Sequence, residues 1–210
     1  MGRAPRIDLG GQVYHILNRA NGRLSLFENE LDYLAFLRIV RQAQDRTDMR
    51  LLAWCVMPNH WHLVLWPRRD GDLARFTGWL TLTHTQRWHV HRHSVGEGHI
   101  YQGRYKSFIV GSDHYLATAC RYVERNALRA KLVTQAEDWP WGSLHEWVNR
   151  HKTVADADEL PVLSDWPAGG GDRPRNWRAQ VNAAMSLEEE ESLGLCMSRG
   201  RPFGEAGWVK

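Results

Sequence analysis

Two pairs of residues in this chain have types and spacings that could do chemistry together. His60 and His62 flank Trp61 in the string PNHWHLVLW. In a β-strand, side chains two apart share a face, so both imidazoles can meet one metal ion while Trp61 turns away. Pro58 and Asn59 interrupt the preceding apolar run, which places His60 at the start of a strand just after a turn. The pair also suits an inert arrangement, with one imidazole exposed and the other packed on a tryptophan. A second set, His89, His91 and His93, falls in a predicted helix, where positions two apart diverge by roughly 200°. It reads as a polar helix end.

The second pair is Tyr122 and Asn126, four apart in the chain's strongest predicted helix and so on one face of it. A tyrosine hydroxyl can act as a nucleophile whose covalent intermediate conserves the energy of the broken bond. An asparagine carbonyl one turn away can give an oxygen to a hard divalent cation. Arg121, Arg125, Arg129 and Lys131 lie beside these residues and could hold phosphates. A helix-packing tyrosine with its hydroxyl at the surface is the alternative use of Tyr122.

The elements that must position these residues follow from periodicity and turn residues. Gln12–Asn18 reads as a first strand between Gly10-Gly11 and Ala20-Asn21-Gly22. Leu31, Leu34, Leu37 and Val40 recur at helical spacing within a predicted helix over Glu30–Thr47. Leu51–Val56 and His60–Trp66 form a predicted hairpin, and a helix is expected from Leu73 to about His93. Ser107–Val110 is a further short strand, followed by a helix from Asp113 to about Lys131 with Leu116, Cys120, Val123 and Ala127 on one side. The order β-α-β-β-α-β-α contains the split βαβ pattern of a ferredoxin-like fold. The expected class is therefore α+β, an antiparallel sheet with a βαββαβ core, helices on one side and a C-terminal appendage. Residues 1–150 are expected to form the principal domain. Residues 151–210 are expected to supply a linker over Pro161–Asn176, a short helix over Ala179–Leu195, and a basic and aromatic tail.

Charge narrows the partner classes only when its distribution is considered. The formal net charge is +3 over 210 residues, with a pI near 8.9. This permits a polyanionic partner without requiring one. Between His99 and Lys131, however, Arg104, Lys106, Arg121, Arg125, Arg129 and Lys131 face only Asp113 and Glu124. The Glu188–Glu191 run reads as a solvated helix face. Eleven tryptophans offer core packing and, for some of them, stacking platforms for unpaired bases. Cys55, Cys120 and Cys196 are odd in number and show no Cys-x-x-Cys spacing, so buried free thiols in a reducing cytoplasm are expected. The start MGRAPRIDLGG lacks an apolar signal region and no run approaches membrane-spanning length, which points to the cytoplasm.

The strings CVMPNHWHLVLWP, YQGRYKSFIV and CRYVERNALRAKLV, in this order, resemble the single-tyrosine transposases with a His-hydrophobe-His motif. More narrowly they resemble the branch associated with repetitive extragenic palindromes (REP), as does the tail SRGRPFG followed by Trp208. The likeness runs from Tyr14 to the tail. It implies a ferredoxin-like fold, hairpin-containing single-stranded DNA as substrate, Mg²⁺ or Mn²⁺ as cofactor and a 5′-phosphotyrosine intermediate. It further implies His60 and His62 as metal ligands, Tyr122 as nucleophile, Asn126 as a third ligand, and a monomer or homodimer. Ala127-Leu128 departs from the proline and aliphatic residue found there in many relatives. Arg104, Lys106, Arg121, Arg125 and Arg129 are the candidate nucleic-acid contacts, with Arg199 and Arg201 of the tail. A non-catalytic regulator that binds single-stranded nucleic acid and a zinc hydrolase built on His60 and His62 are the competing readings.

Overall fold

A computed structural model describes residues 7–111, 114–149, 159–167 and 173–205. Four strands, β1 (Val13–Arg19), β2 (Arg50–Met57), β3 (His60–Trp66) and β4 (Lys106–Val110), form one antiparallel sheet in the order β2-β3-β1-β4. Helix α1 (Glu30–Thr47) joins β1 to β2, and α2 (Asp72–His91) joins β3 to β4. Strand β3 lies between β1 and β2, which is the split βαβ arrangement expected from the order of elements.

Local chemistry explains the boundaries. Asn29 caps α1 by accepting from the Asp32 backbone N–H, and Asp48 ends it in the left-handed region. In α2 the threonines that oppose helix formation are accommodated: the Thr77 and Thr81 hydroxyls bond back to the Leu73 and Thr77 carbonyls. The β2–β3 turn is fixed from outside. The Pro58 carbonyl accepts from Leu26 N–H and the Asn59 carbonyl from Ala20 N–H, so the loop after β1 holds the start of β3. A β-bulge at Leu51–Ala53 turns both Leu52 and Ala53 toward the same core.

Each face of the sheet is buried. Tyr14, Ile16, Leu51, Trp54, Val56, Trp61, Leu63 and Leu65 pack under α1 and α2. Val13, Ala53, Cys55, Val64, Phe108 and Val110 face α3 (His114–Glu124). The two helices of the βαββαβ core thus share one side as expected, but the helices as a whole do not. The strands are apolar on both faces, so the second face needs its own cover. That cover is α3 with α6 (Trp177–Asn182) and α7 (Leu187–Arg199), beside the short α4 (Asn126–Arg129) and α5 (Ser143–Asn149).

Two further expectations change. The helix expected from Asp113 to Lys131 is interrupted at Arg125 (φ −81°, ψ −4°), giving α3 and α4; Asp113 itself lies outside the described residues. The single helix over Ala179–Leu195 is two helices, because Ser186 starts α7 with a capping box to Glu189. Glu188, Glu189 and Glu190 fall in that first turn, where the helix dipole favours negative charge. Part of the expected linker is ordered against the sheet: Ser164 N–H donates to the Leu51 carbonyl, and Arg173 is buried. The tail extends the sheet beyond β4, with Phe203 N–H donating to the Ile109 carbonyl and Gly111 N–H to the Phe203 carbonyl. Trp208 lies outside the described residues.

Candidate active site

His60 and His62 project from β3 toward α3, as period two requires, while Trp61 is wholly buried on the other face. There the Trp61 indole N–H donates to the Tyr101 hydroxyl, which also bonds His84 Nδ1 at 2.6 Å. The histidine rings are 5.1 Å apart and nearly perpendicular. His60 Nδ1 bonds Asn59 Oδ1 at 2.7 Å, and His62 Nδ1 bonds Nε2 of His15, from β1, at 2.9 Å. The Asn126 side chain makes a further hydrogen bond to His60. Burial is the first cause holding both imidazoles neutral: His60 is lowered to about 4 and His62 well below its ordinary value, with Arg19 and Arg129 adding to the effect.

Tyr122 enters the same pocket from α3, its ring 6.1 Å from that of His62 and 6.3 Å from that of His15. Burial raises the phenol above its ordinary value of 10, and the Arg129 guanidinium pulls it back down. That guanidinium sits 4.7 Å from the Tyr122 ring centre and reaches Asn126 Oδ1 at 3.5 Å. Asn126 is buried, its side chain lies against His60, and its Nδ2 lacks a hydrogen-bond partner. Although the helix breaks between them, Tyr122 and Asn126 still share one face.

The residues present fit a hard divalent cation. Two imidazoles held neutral by burial stand side by side in the pocket, and a buried amide with an unfilled polar end lies against one of them. Among the described residues no set of three His, Cys, Asp or Glu side chains could hold a metal ion. The three cysteines are free and buried. No helix among the described residues is long and apolar enough to cross a membrane.

The basic residues expected to meet nucleic acid lie in different places. Arg129 belongs to the pocket. Lys106 sits opposite Leu17, and Leu17 opposite His62, so Lys106 points to the same face at the sheet's rim. Arg199 and Arg201 are exposed beside the tail segment that pairs with β4. Arg104 lies elsewhere, on a cleft of about 610 Å³ between α2 and the 99–105 loop, lined by Asn18, Leu82, Tyr101 and Tyr105. Arg121 and Arg125 are engaged within the protein. Arg121 donates to the Ala183 and Ala184 carbonyls, and Arg125 to those of Val181 and Asn182.

Two residues of the pocket went unnoticed in the sequence. His15 and Arg19 lie on the β1 face toward α3, and Arg19 is paired in register with His60. Alternation in VYHILNR places His15 and Arg19 on one face. It does not say which strand they would meet.

Residues 10–126 match the family model described as "Transposase IS200 like". A REP-associated tyrosine transposase of Escherichia coli is 25% identical over 141 residues, covering 67% of this chain and 81% of that protein. A Haemophilus influenzae protein assigned as a REP-associated tyrosine transposase is 25% identical over 123 residues, covering 54% of this chain and 70% of the relative. The fold is shared with a solved REP-associated tyrosine transposase bound to a REP hairpin: TM-score 0.58, 19% identity, 83% of this chain and 99% of that one. With more than half its length matched, in the part that carries His60, His62, Tyr122 and Asn126, the chain belongs to the IS200-like transposase family.

Proposed function

We propose that this transposase cuts and rejoins hairpin-bearing single-stranded DNA of the REP type through a 5′-phosphotyrosine at Tyr122. The observation that carries the reading is the meeting of Tyr122, His60, His62 and Asn126 in one buried pocket between β1, β3 and α3. The Tyr122 oxygen attacks phosphorus in line. A phosphorus–oxygen bond to tyrosine forms and the bond to the 3′ oxygen breaks; the phenol gives its proton to solvent and the leaving 3′ oxygen takes one up, so the strand departs as a 3′-hydroxyl. A 3′-hydroxyl of another strand can then reverse the exchange, because the bond energy is retained in the phosphotyrosine. Mg²⁺ or Mn²⁺ held by His60, His62 and Asn126 would supply charge neutralisation at the phosphate.

Arg129 keeps the Tyr122 ring in place and places positive charge at the reacting centre. Lys106, Arg199 and Arg201 are assigned to the DNA backbone along the same side, and Arg104 to DNA passing over the α2 cleft. Residues 1–150 form the catalytic unit, and 151–210 brace it through α6, α7 and the tail. Protein incubated with REP-like hairpin DNA and Mn²⁺ is expected to yield an adduct that survives denaturant. Tyr122→Phe loses the adduct and keeps DNA binding, and His60→Ala with His62→Ala abolishes cleavage. An undiminished adduct in Tyr122→Phe would place the nucleophile elsewhere; binding with no adduct in the wild type would leave a non-catalytic regulator.

A further inference from the structure

His15 is 1% exposed and has no place in the chemistry above. Its ring and that of His62 lie within 10° of one plane with centres 5.1 Å apart, and Nε2 and Nδ1 are 2.9 Å apart. This is the geometry of an in-plane N–H···N hydrogen bond between two neutral imidazoles. Phe108 closes on the His15 ring edge-on at 4.9 Å, and Tyr122 does so at 6.3 Å. The ring is therefore walled in, and its Nδ1 has no hydrogen-bond partner.

One hydrogen bond between two neutral imidazoles allows two proton arrangements. If His62 carries its proton on Nδ1, it donates to His15 Nε2, and the His62 Nε2 lone pair faces the pocket. If His15 carries its proton on Nε2, the bond reverses, and His62 must bear its proton on Nε2. A protonated Nε2 cannot ligate a cation.

We propose that His15 is a positioning residue that accepts from His62 Nδ1 and so presents the His62 Nε2 lone pair to the cation. The inference rests on the metal reading above. The isolated Nδ1–H of His15 is the cost of this arrangement, since a buried donor without a partner destabilises the fold. A second-sphere acceptor of this kind fixes both the tautomer and the ring orientation of a ligating histidine. A carboxylate or a main-chain carbonyl is the usual choice. Here the neighbouring strand supplies an imidazole, through the register that sets Leu17 opposite His62 and His15 two residues before it on the same face of β1.

Nitrogen-15 NMR of the full-length, metal-free protein reads the tautomer directly. His62 is expected to carry its proton on Nδ1; a proton on Nε2 overturns the proposal. Mn²⁺ affinity is the second measurement. His15→Phe keeps the ring volume but removes the acceptor, and should weaken Mn²⁺ binding by about 10- to 100-fold. His15→Gln offers an amide oxygen at about the reach of Nε2 and should recover most of that loss. His15→Phe binding Mn²⁺ as tightly as the wild type also overturns the proposal. If the wild type takes up no Mn²⁺, the cation reading fails, and the tautomer alone decides the role of His15.

Discussion

The Tyr122 phenol is under two opposed influences. Burial favours its neutral form, whereas the Arg129 guanidinium, 4.7 Å from the ring centre, favours the phenolate that the proposed attack requires. Removing that charge must move the phenol further up. Arg129→Leu should therefore shift the pH–rate profile of adduct formation toward alkaline pH. At pH 7 the rate falls about tenfold for each unit moved. Arg129→Lys retains the charge without the planar fork and should fall between the two. Single-turnover rates at saturating DNA separate this effect from weakened binding, and an unmoved profile in Arg129→Leu would remove Arg129 from the chemistry. Much of this pocket is legible in the sequence, because His60 and His62 are fixed by the period of one strand, and Tyr122 and Asn126 keep helical spacing across the break at Arg125. His15 and Arg19 are not, because their meeting with His62 and His60 depends on strand register. Register is decided by long-range packing and is invisible in the spacing of a single strand.

Among the elements, the helix break at Arg125 shows how tertiary contacts decide what local pattern leaves open. The string CRYVERNALRAKLV contains neither proline nor glycine, and its apolar spacing runs on without a signal. In the structure Arg121 and Arg125, on either side of Tyr122, reach the carbonyls at and beyond the C-terminal end of α6. Helix ends leave carbonyls unsatisfied and carry partial negative charge, so two guanidiniums fit there as well as they would fit phosphates. Counting basic residues could not tell these uses apart. Arg121→Ala and Arg125→Ala should each lower stability by about 1–2 kcal/mol in urea unfolding. They should leave the salt dependence of single-stranded DNA binding nearly unchanged. Lys106→Ala should do the reverse, with little effect on stability and a salt slope reduced by about 0.7, one phosphate contact on a single strand. A slope that falls equally in all three variants would return Arg121 and Arg125 to the DNA.

For the molecule as a whole, a sheet apolar on both faces cannot stop at the βαββαβ core, and the C-terminal segment supplies what is missing. Periodicity showed the core elements clearly: the predicted and observed limits agree for α1 and β3. The C-terminal part was obscure because short helices and a loop rich in glycine and proline carry little period of their own. The attachment is polar at its centre. Glu124, at the end of α3, accepts from Arg173 at 2.7 Å, from the Ser143 hydroxyl at 2.5 Å and from the Trp177 indole at 2.6 Å, all buried. Arg173 also donates to the Leu52 carbonyl in β2, so one cluster ties sheet, α3, α5 and α6 together two residues from Tyr122. Taking two charges out of water is costly, and such a pair stabilises only while both partners are present. Arg173→Met should therefore cost about 3–5 kcal/mol, because it strands the Glu124 carboxylate in the core. Adding Glu124→Gln should restore a large part of that loss, since the amide oxygen can still accept from Trp177 or Ser143 without a buried charge. Urea unfolding of the two single variants and the double variant measures the coupling as a mutant cycle. If the double variant is no more stable than Arg173→Met, the ion pair is not what holds the C-terminal segment, and the apolar contacts of Trp177 and Leu193 must do so instead.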